Sequence, residues 1–507
     1  MTDPPKPPRQ TPATARAYLA AALSGILAGL SRPPIDWGIL SLVALVPLLA
    51  VVVTARPKRA FVLGFVAGAV YFASLVSWAV YFGSVAVVPF VAVLASVWGA
   101  ACALIALLAR RGIASPWTTA AVWVVGEGTI ARWPLGGFSW GELGYASHDL
   151  AALRSLAAIG GVSLVSYVVV VVNAYIARYR RKSSIAALVA IGAAVGLWFA
   201  VEPATTPTGT LHIAVVQGND INRDLTDAEM AAFTLPSKHF ALAAGLSGRY
   251  DLVVFPESAF HPEQIDDPRI TTQLGATARR LHSYVLANGL HDVEGGARVD
   301  NRNVLYDRTG HTVATYDKRH LVPFGEWVPW RTTLEHWISA LQRIPRDFRP
   351  GTSTPIMYVD GRPIATVLCF ESAFGYEVRP LIADGAQLIV VSTNNRSYRR
   401  SANSAQHVAI GQIRAAETGR ALVQAAVSGH SAIVDFRGRV RAETPLFRNG
   451  VLTADVVTRR GATLYVRFGE WVYVASVLAL AAALLLATKR GRGVSTPRIS
   501  SVERSSR

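Results

Sequence analysis

The stretch IATVLCFES, residues 364–372, decides how the chain folds, because an apolar and β-branched run from Ile364 to Phe370 ends on Cys369, Phe370, Glu371 and Ser372. A short β-rich run bounded by turn residues predicts a buried strand. A thiol and a carboxylate therefore stand at a strand end, where open α/β sheets present reactive groups. Leu211–Gln217, Leu252–Phe255, Tyr284–Ala287 and Leu388–Ser392 have the same character, and Asp266–Ser283 and Ala402–Gly419 predict helices between them. Strands alternating with helices indicate a layered α/β fold. The block that holds them, residues 202–470, is long enough to bury its own core.

Outside that block the chain changes character. Of 507 residues, 51% are hydrophobic and 16% charged, and the mean hydropathy of +0.32 is too apolar for a soluble enzyme of this length. Apolar runs at 17–31, 38–55, 60–82, 85–109, 113–131, 155–177, 185–201 and 471–488 predict eight transmembrane helices, several of them near the roughly 20 residues that span a bilayer. Ser31-Arg32-Pro33-Pro34 has no small-x-small cleavage site, so the first run is kept as a helix and not a signal peptide.

Alternate loops on one side of this arrangement collect 18 basic residues, from Lys6 to Arg507, against Arg32, Arg132 and Arg154 on the other. Basic residues beside spans stay on the cytoplasmic side. Both termini, the tails 1–16 and 489–507, are then cytoplasmic, and 202–470 faces outward between a seven-helix region, 17–201, and a last span, 471–488. Nearly all of the +17 net charge lies outside the outward block. The basic excess therefore reports orientation, and nucleic acid is not expected as a partner.

Two further motifs join the opening stretch. Leu252-Val-Val-Phe-Pro-Glu257 ends a strand on a carboxylate, and Tyr316-Asp-Lys318-Arg-His-Leu-Val-Pro-Phe-Gly-Glu326 sets a lysine before a turn and a second glutamate. The chain has six lysines against 44 arginines, and the outward block keeps only Lys238 and Lys318. Where arginine is the default cation, a retained lysine suggests that a compact ammonium is needed. Each feature alone has a plainer reading: Lys318 as a surface cation, Cys369 as core, Glu257 as a helix cap. Together they supply a nucleophile, a base to make its thiolate and a positive donor for an oxyanion. Cys102 lies within the fourth apolar run and reads as packing.

These residues resemble the nitrilase, or carbon-nitrogen hydrolase, superfamily, whose members carry a Glu-Lys-Cys triad on an αββα sandwich; Glu257, Lys318 and Cys369 match it in order and motif. Seven spans, an outward nitrilase-like domain and a final span are similar to the apolipoprotein N-acyltransferase family in particular. Val215-Val-Gln-Gly-Asn219, Leu321-Val-Pro-Phe-Gly-Glu326-Trp-Val-Pro329 and Gly137-Phe-Ser-Trp-Gly-Glu-Leu-Gly-Tyr145 extend the match. One loop departs from it: where the family usually reads Asn-Asp-Ala-Trp-Phe, this chain has Asn394-Asn-Arg-Ser-Tyr398 followed by Arg399 and Arg400.

The resemblance implies an acyltransferase of the bacterial cytoplasmic membrane. Cys369 would take the sn-1 acyl chain of a phospholipid donor as a thioester and pass it to the α-amine of a diacylglyceryl apolipoprotein acceptor. Glu257 would be the base, with Lys318 and a backbone N–H near Phe370 holding the oxyanion. Glu326, Glu371, Phe370 and Asn394 are expected to support the site, the glutamates alternatively as salt-bridged scaffold. Trp327, Trp330 and Trp337 belong to a run, Trp327–Leu341, expected to dip into membrane lipids as an arm or else to lie in the core. Trp140 and Tyr145 are expected to contact lipid or the outward domain, or to anchor at the interface. No metal or other cofactor is expected: the histidines lack ligand spacing, and no Gly-rich phosphate loop follows a strand. A membrane-tethered amidase with the same triad and a non-enzymatic scaffold are the rival readings.

Overall fold

The structure, a computed structural model, describes residues 12–492 apart from 83, 179–181, 202–203, 221–224, 262–263, 339–340 and 343. The N-terminal part is helical: α1 (Pro12–Leu30), α2 (Val46–Val52), α3 (Pro57–Leu75), α4 (Ser84–Arg110), α5 (Pro116–Ile130), α6 (Ala151–Ser155), α7 (Ala157–Ala177) and α8 (Lys182–Phe199). Among the described residues, three helical segments are long and apolar enough to cross a membrane: Pro57–Leu75, Val87–Arg110 and Ala157–Ala177. Other runs give shorter described apolar stretches, among them Thr14–Leu30, Ser184–Phe199 and Trp471–Leu485. The second run is broken between a 3-10 turn at Gly38–Leu42 and α2, and the fifth starts late, at a Ser115 capping box with Pro116 in the first turn. The chain is thus a membrane protein with three such segments where the sequence predicts eight.

Close approach joins the two longest contacts of this region. A β-carbon at Gly64 of α3 would lie 2.6 Å from the Trp98 carbonyl oxygen and 2.7 Å from Cys102, and one at Gly68 would lie 3.0 Å from the Ala95 backbone of α4. This is the small-xxx-small device by which helices pack in lipid, where no hydrophobic effect drives them together. Cys102, fully buried there, is a packing residue.

Among the described residues the α/β part holds twelve strands: β1 (Thr205–Gln217), β2 (Leu252–Val254), β3 (Tyr284–Val293), β4 (Arg298–Tyr306), β5 (Thr312–Asp317), β6 (Ile356–Val359), β7 (Arg362–Leu368), β8 (Ile389–Thr393), β9 (Leu422–Ala426), β10 (Ala432–Val434), β11 (Val440–Glu443) and β12 (Gly450–Gly461). Its helices are α9 (Asp227–Ala231), α10 (Thr234–Ala244), α11 (Pro268–Leu281), α12 (Arg331–Trp337), α13 (Gly375–Ala383), α14 (Asn403–Thr418) and α15 (Leu464–Phe468), and α16 (Trp471–Arg492) follows. The strands form two six-stranded sheets, ordered β12-β1-β2-β3-β4-β5 and β11-β10-β9-β8-β7-β6. In each sheet the central trio, β1-β2-β3 or β7-β8-β9, is parallel.

Alternation along each strand decides the layering. Leu211, Ile213 and Val215 of β1 face the other sheet with Leu252, Val254, Ile364, Leu368 and Val390, whereas Ala214 and Val216 face outward beneath α10 and α11. Ala365 and Val367 of β7 turn the same way toward α13 and α14. The result is a helix–sheet–sheet–helix sandwich, nitrilase-like in its layering.

This sandwich is welded to the helical region. Phe370, Phe374, Ile410 and Ile413 join one continuous apolar cluster with α1, α3, α4, α5 and α7, so α14 is buried on all sides. Gln406 rivets the joint: its Oε1 accepts from the indoles of Trp78 (3.1 Å) and Trp140 (2.9 Å), and its Nε2 donates to the carbonyls of Pro33 (3.2 Å) and Leu75 (3.1 Å). Gln406→Leu would orphan four buried groups, each costing about 1–3 kcal/mol. Its thermal midpoint should fall by well over 5 °C for the joined unit, read by fluorescence-detected size exclusion after heating; an unchanged midpoint would rule out the rivet.

The three arginines expected on the outward side all have partners, Arg154 and Arg132 across this joint and Arg32 within the helical region. Arg32 donates to the carbonyls of Trp140 (3.1 Å) and Glu142 (3.3 Å), Arg154 to those of Arg437 (2.8 Å) and His148, and Arg132 pairs with Glu470 at 3.5 Å.

Candidate active site

Three strand ends converge where the two sheets meet. Glu257 follows β2, Lys318 follows β5, and Cys369 follows β7 as the first residue of a 3-10 turn. Cys369 takes φ +46°, a conformation unusual for a side-chain-bearing residue, which swings its thiol off the strand line. All three side chains are buried, Lys318 to 1% exposure.

Lys318 Nζ donates to Glu326 Oε1 at 2.6 Å and to Glu257 Oε1 at 3.4 Å. Burial alone would strip its proton, but the carboxylates of Glu257 and Glu326, with Cys369, hold the ammonium well above the usual lysine value. Burial, and after it Glu257, push the Cys369 thiol up to about 12 against the opposing pull of Lys318 and a hydrogen bond from Thr393. The resting thiol is therefore protonated beside a permanent cation, and it needs a base at the moment of attack.

Glu257 is placed for that role by Asn394, expected at the site, and by Asn301, which the sequence reading missed. Asn301 Nδ2 donates to its Oε1 at 2.7 Å and the Asn394 backbone N–H to its Oε2 at 2.8 Å. Asn301 also accepts the Lys318 backbone N–H at 2.9 Å, and behind it Asn288 donates to both Asn301 (2.9 Å) and Asn303 (3.1 Å). The signal was present in Asp300-Asn301-Arg302-Asn303: alternate asparagines on a buried strand face have no plain packing reason. Asn301→Leu should slow acyl-enzyme formation by about tenfold, the worth of one charge-assisted bond, with substrate affinity little changed. An unchanged single-turnover rate would remove Asn301 from the site.

The other expected residues are dispersed. Glu326 touches Lys318 directly. Glu371 does not: its Oε1 accepts from the Tyr316 hydroxyl (2.6 Å) and the Arg319 (2.8 Å) and His320 (3.1 Å) N–H groups, and its Oε2 from Leu368 N–H (2.8 Å). It ties the lysine strand to the cysteine turn. Phe370 turns away from the triad into an aromatic cluster, stacked on Trp140 and tilted against Phe138, both with ring centroids 6.2 Å away. Trp140 and Tyr145 are buried within the joint, with no face left for lipid, and the Tyr145 hydroxyl donates to the Ala373 carbonyl at 3.2 Å. His320 pairs with Glu377 at 2.7 Å and makes no dyad with the thiol.

Trp330 projects from the run that begins at Trp327 and is 68% exposed, whereas Trp327 is half-buried and Val328 and Leu341 are buried. The Trp337 side chain lies outside the described residues. Asp347 holds this run at its root, accepting from Val328 N–H at 3.0 Å and from Arg331. In the atypical loop, Tyr398 packs edge-on against Trp78 of the helical region, ring centroids 5.0 Å apart. Asp36, His148 and Asp149 bring ligand-type atoms together in the helical region's loops; His148 lies 3.2 Å from Asp36 and 3.5 Å from Asp149, and these ion pairs account for the grouping.

Two buried histidines make stability depend on pH. Burial lowers His239 and His407 from near 6.5 to about 4, so the unfolded chain binds protons that the folded chain refuses. Stability should be full above pH 6.5 and decline toward pH 4. A thermal melt series should show this, and His239→Phe should make the decline shallower.

An α/β sandwich with a buried Glu, Lys and Cys at its strand ends defines a carbon-nitrogen hydrolase class of domain, and the carbon-nitrogen hydrolase family model matches residues 212–463. A model described as the apolipoprotein N-acyltransferase N-terminal domain matches residues 24–175. An apolipoprotein N-acyltransferase of Geobacter metallireducens is 30% identical over 92% of this chain and 95% of its own, and one of Gloeobacter violaceus is 31% identical over 94% and 95%. The chain belongs to the apolipoprotein N-acyltransferase family and is an acyltransferase. Among solved structures it is similar to a CN-hydrolase superfamily protein from Xanthomonas campestris (20% identity, 53% of this chain, 96% of that one, TM-score 0.38) and to Saccharomyces cerevisiae Nit3 (14%, 50%, 91%, 0.38).

Proposed function

We propose that the protein moves an acyl chain from a membrane phospholipid to the N-terminal amine of a diacylglyceryl apolipoprotein through a thioester on Cys369. Glu257 takes the thiol proton and the thiolate attacks the sn-1 ester carbonyl. Lys318 and the N–H near Phe370 stabilise the oxyanion, a contribution of about 3 kcal/mol for each well-placed donor. The ester C–O bond breaks, and the lysophospholipid leaves with the proton from Glu257. The α-amine then attacks the acyl-cysteine, gives its proton to Glu257, and the C–S bond breaks to return the thiol. No metal or other cofactor enters either step.

The observation that carries this reading is the joint between the domains. Phe370, beside the nucleophile, lies in an aromatic cluster shared with the membrane helices. That arrangement suits two lipid-anchored substrates diffusing in the bilayer plane. With it we take the eight apolar runs as eight spans, residues 202–470 as the catalytic unit on the outer face of the bacterial cytoplasmic membrane, and both termini as cytoplasmic. Exposed Trp330 is the tip of an arm that meets lipid.

Purified protein incubated with phospholipid and a diacylglyceryl peptide should yield N-acyl peptide and lysophospholipid. Free fatty acid, or ammonia from a simple amide, with no N-acyl peptide would establish the amidase instead. Trp330→Ala should weaken use of lipid donors several-fold, and equal rates on vesicles would detach that residue from substrate capture.

A further inference from the structure

Behind the thiol lies a closed ring of hydrogen-bonding groups that the mechanism above does not use. Thr393 Oγ1 is 3.1 Å from Cys369 Sγ and 3.4 Å from His407 Nδ1. His407 Nε2 is 2.7 Å from Ser372 Oγ, which is 2.8 Å from the Cys369 carbonyl oxygen. Both ends of the ring land on the nucleophile. Ser372, Thr393 and His407 are each at most 1% exposed, so water cannot supply a missing partner.

Counting protons makes the ring informative. Thr393 has one hydroxyl hydrogen and three neighbours able to accept it: the sulfur, His407 Nδ1 and, at 3.4 Å, Asn395 Oδ1. If His407 carries its proton on Nε2, the bare Nδ1 competes with sulfur for that hydrogen. If the proton is on Nδ1, Thr393 accepts from it and its own hydrogen is free for sulfur, while Nε2 accepts from Ser372. A thiolate gains much more from such a donor than a thiol does, because a bond to a charged partner is roughly twice as strong. The imidazole is packed against Trp140, whose ring lies tilted at 48° to it with centroids 5.4 Å apart.

We propose that Thr393 is a catalytic donor that holds the Cys369 thiolate, and that His407, as the Nδ1–H tautomer, is the positioning residue that keeps the threonine hydrogen on the sulfur. The tautomer leaves Ser372 bonded to Nε2 and releases the Cys369 carbonyl. The proposal rests on Cys369 being the nucleophile of the reading above.

The test is alkylation of Cys369 by iodoacetamide in the full-length detergent-solubilised protein, followed by peptide mass spectrometry with buried Cys102 as internal reference. Alkylation reads the thiolate without turnover. A wild-type chain that is alkylated at Cys369 yet forms no thioester with phospholipid would sink the acyl-transfer reading and leave this one standing. Thr393→Val and His407→Phe should each slow alkylation about tenfold, and the double variant should be no slower than either. Thr393→Ser restores a hydroxyl, and His407→Asn sets an amide donor where Nδ1 stood; both should recover to within about threefold. His407→Gln, whose amide falls nearer Nε2, should stay slow. Wild-type alkylation in Thr393→Val overturns the proposal even if His407→Phe fails to fold, as do additive losses in the double variant or an Asn variant as slow as Phe.

Discussion

Cys369→Ser and Cys369→Ala should each abolish N-acylation, by at least about a thousandfold, and no thioester should be trapped in either by mass spectrometry. The serine case is the sharper one. It keeps size, the φ of +46° and the hydrogen bond from Thr393. It loses the acidity that lets Glu257, a carboxylate already holding bonds from Asn301 and the Asn394 N–H, take the proton. Neither change should unfold the protein, because the thiol sits at a strand end and makes a single side-chain hydrogen bond. A Cys369→Ser protein that eluted normally and acylated peptide at the wild-type rate would refute a thioester route outright.

How much of this was legible in the sequence depends on the distance over which each signal acts. Glu257, Lys318 and Cys369 could be read because each closes a short β-rich run, and strand ends carry their own local punctuation. The buried parallel strands at 211–217, 364–368 and 389–392 were legible for the same reason. The antiparallel strands β5 and β12 were not, since exposed positions such as Thr312, Val313 and Asp455 blur the apolar pattern, and β4 was not because its buried positions include the polar Asp300, Asn301 and Asn303. Asn301, Thr393 and His407 were missed because a polar residue on a buried strand or helix becomes meaningful only when its partner is known. Those partners lie up to 44 residues away, as with Asn301 and Glu257. For Trp140 and Tyr145 the sequence left lipid contact, contact with the outward domain and interfacial anchoring open. An aromatic next to a span is ordinarily an interfacial anchor, but here Gln406, Arg414 and Ala373 draw both into the joint. Where the apolar runs break into helices was not legible, since hydropathy alone does not register the 3-10 turn at Gly38–Leu42 or the cap at Ser115.

Lys318→Arg should lose about a hundredfold in the rate of acyl-enzyme formation although it conserves the charge. The ammonium fits between two carboxylates, 2.6 Å from Glu326 and 3.4 Å from Glu257, at a position only 1% exposed. A guanidinium there is longer and planar and carries five donors that need partners in one plane. To seat it, Glu326 must leave the Val322 N–H that it accepts at 2.8 Å, or Glu257 must leave Asn301. Either shift moves the base or the cation off the thiol. Lys318→Met is the complementary test, because it keeps the stem and removes the charge. It leaves two buried carboxylates facing each other without their cation, a loss of about 3–5 kcal/mol when one partner of a buried pair is removed, so it should lower the thermal midpoint as well as the rate. Arginine should fail in rate and keep most of the stability; methionine should fail in both. Wild-type turnover in Lys318→Arg would show that only the sign of the charge matters at this position. That outcome would also leave the chain's retention of lysine here, against its general preference for arginine, without a catalytic explanation.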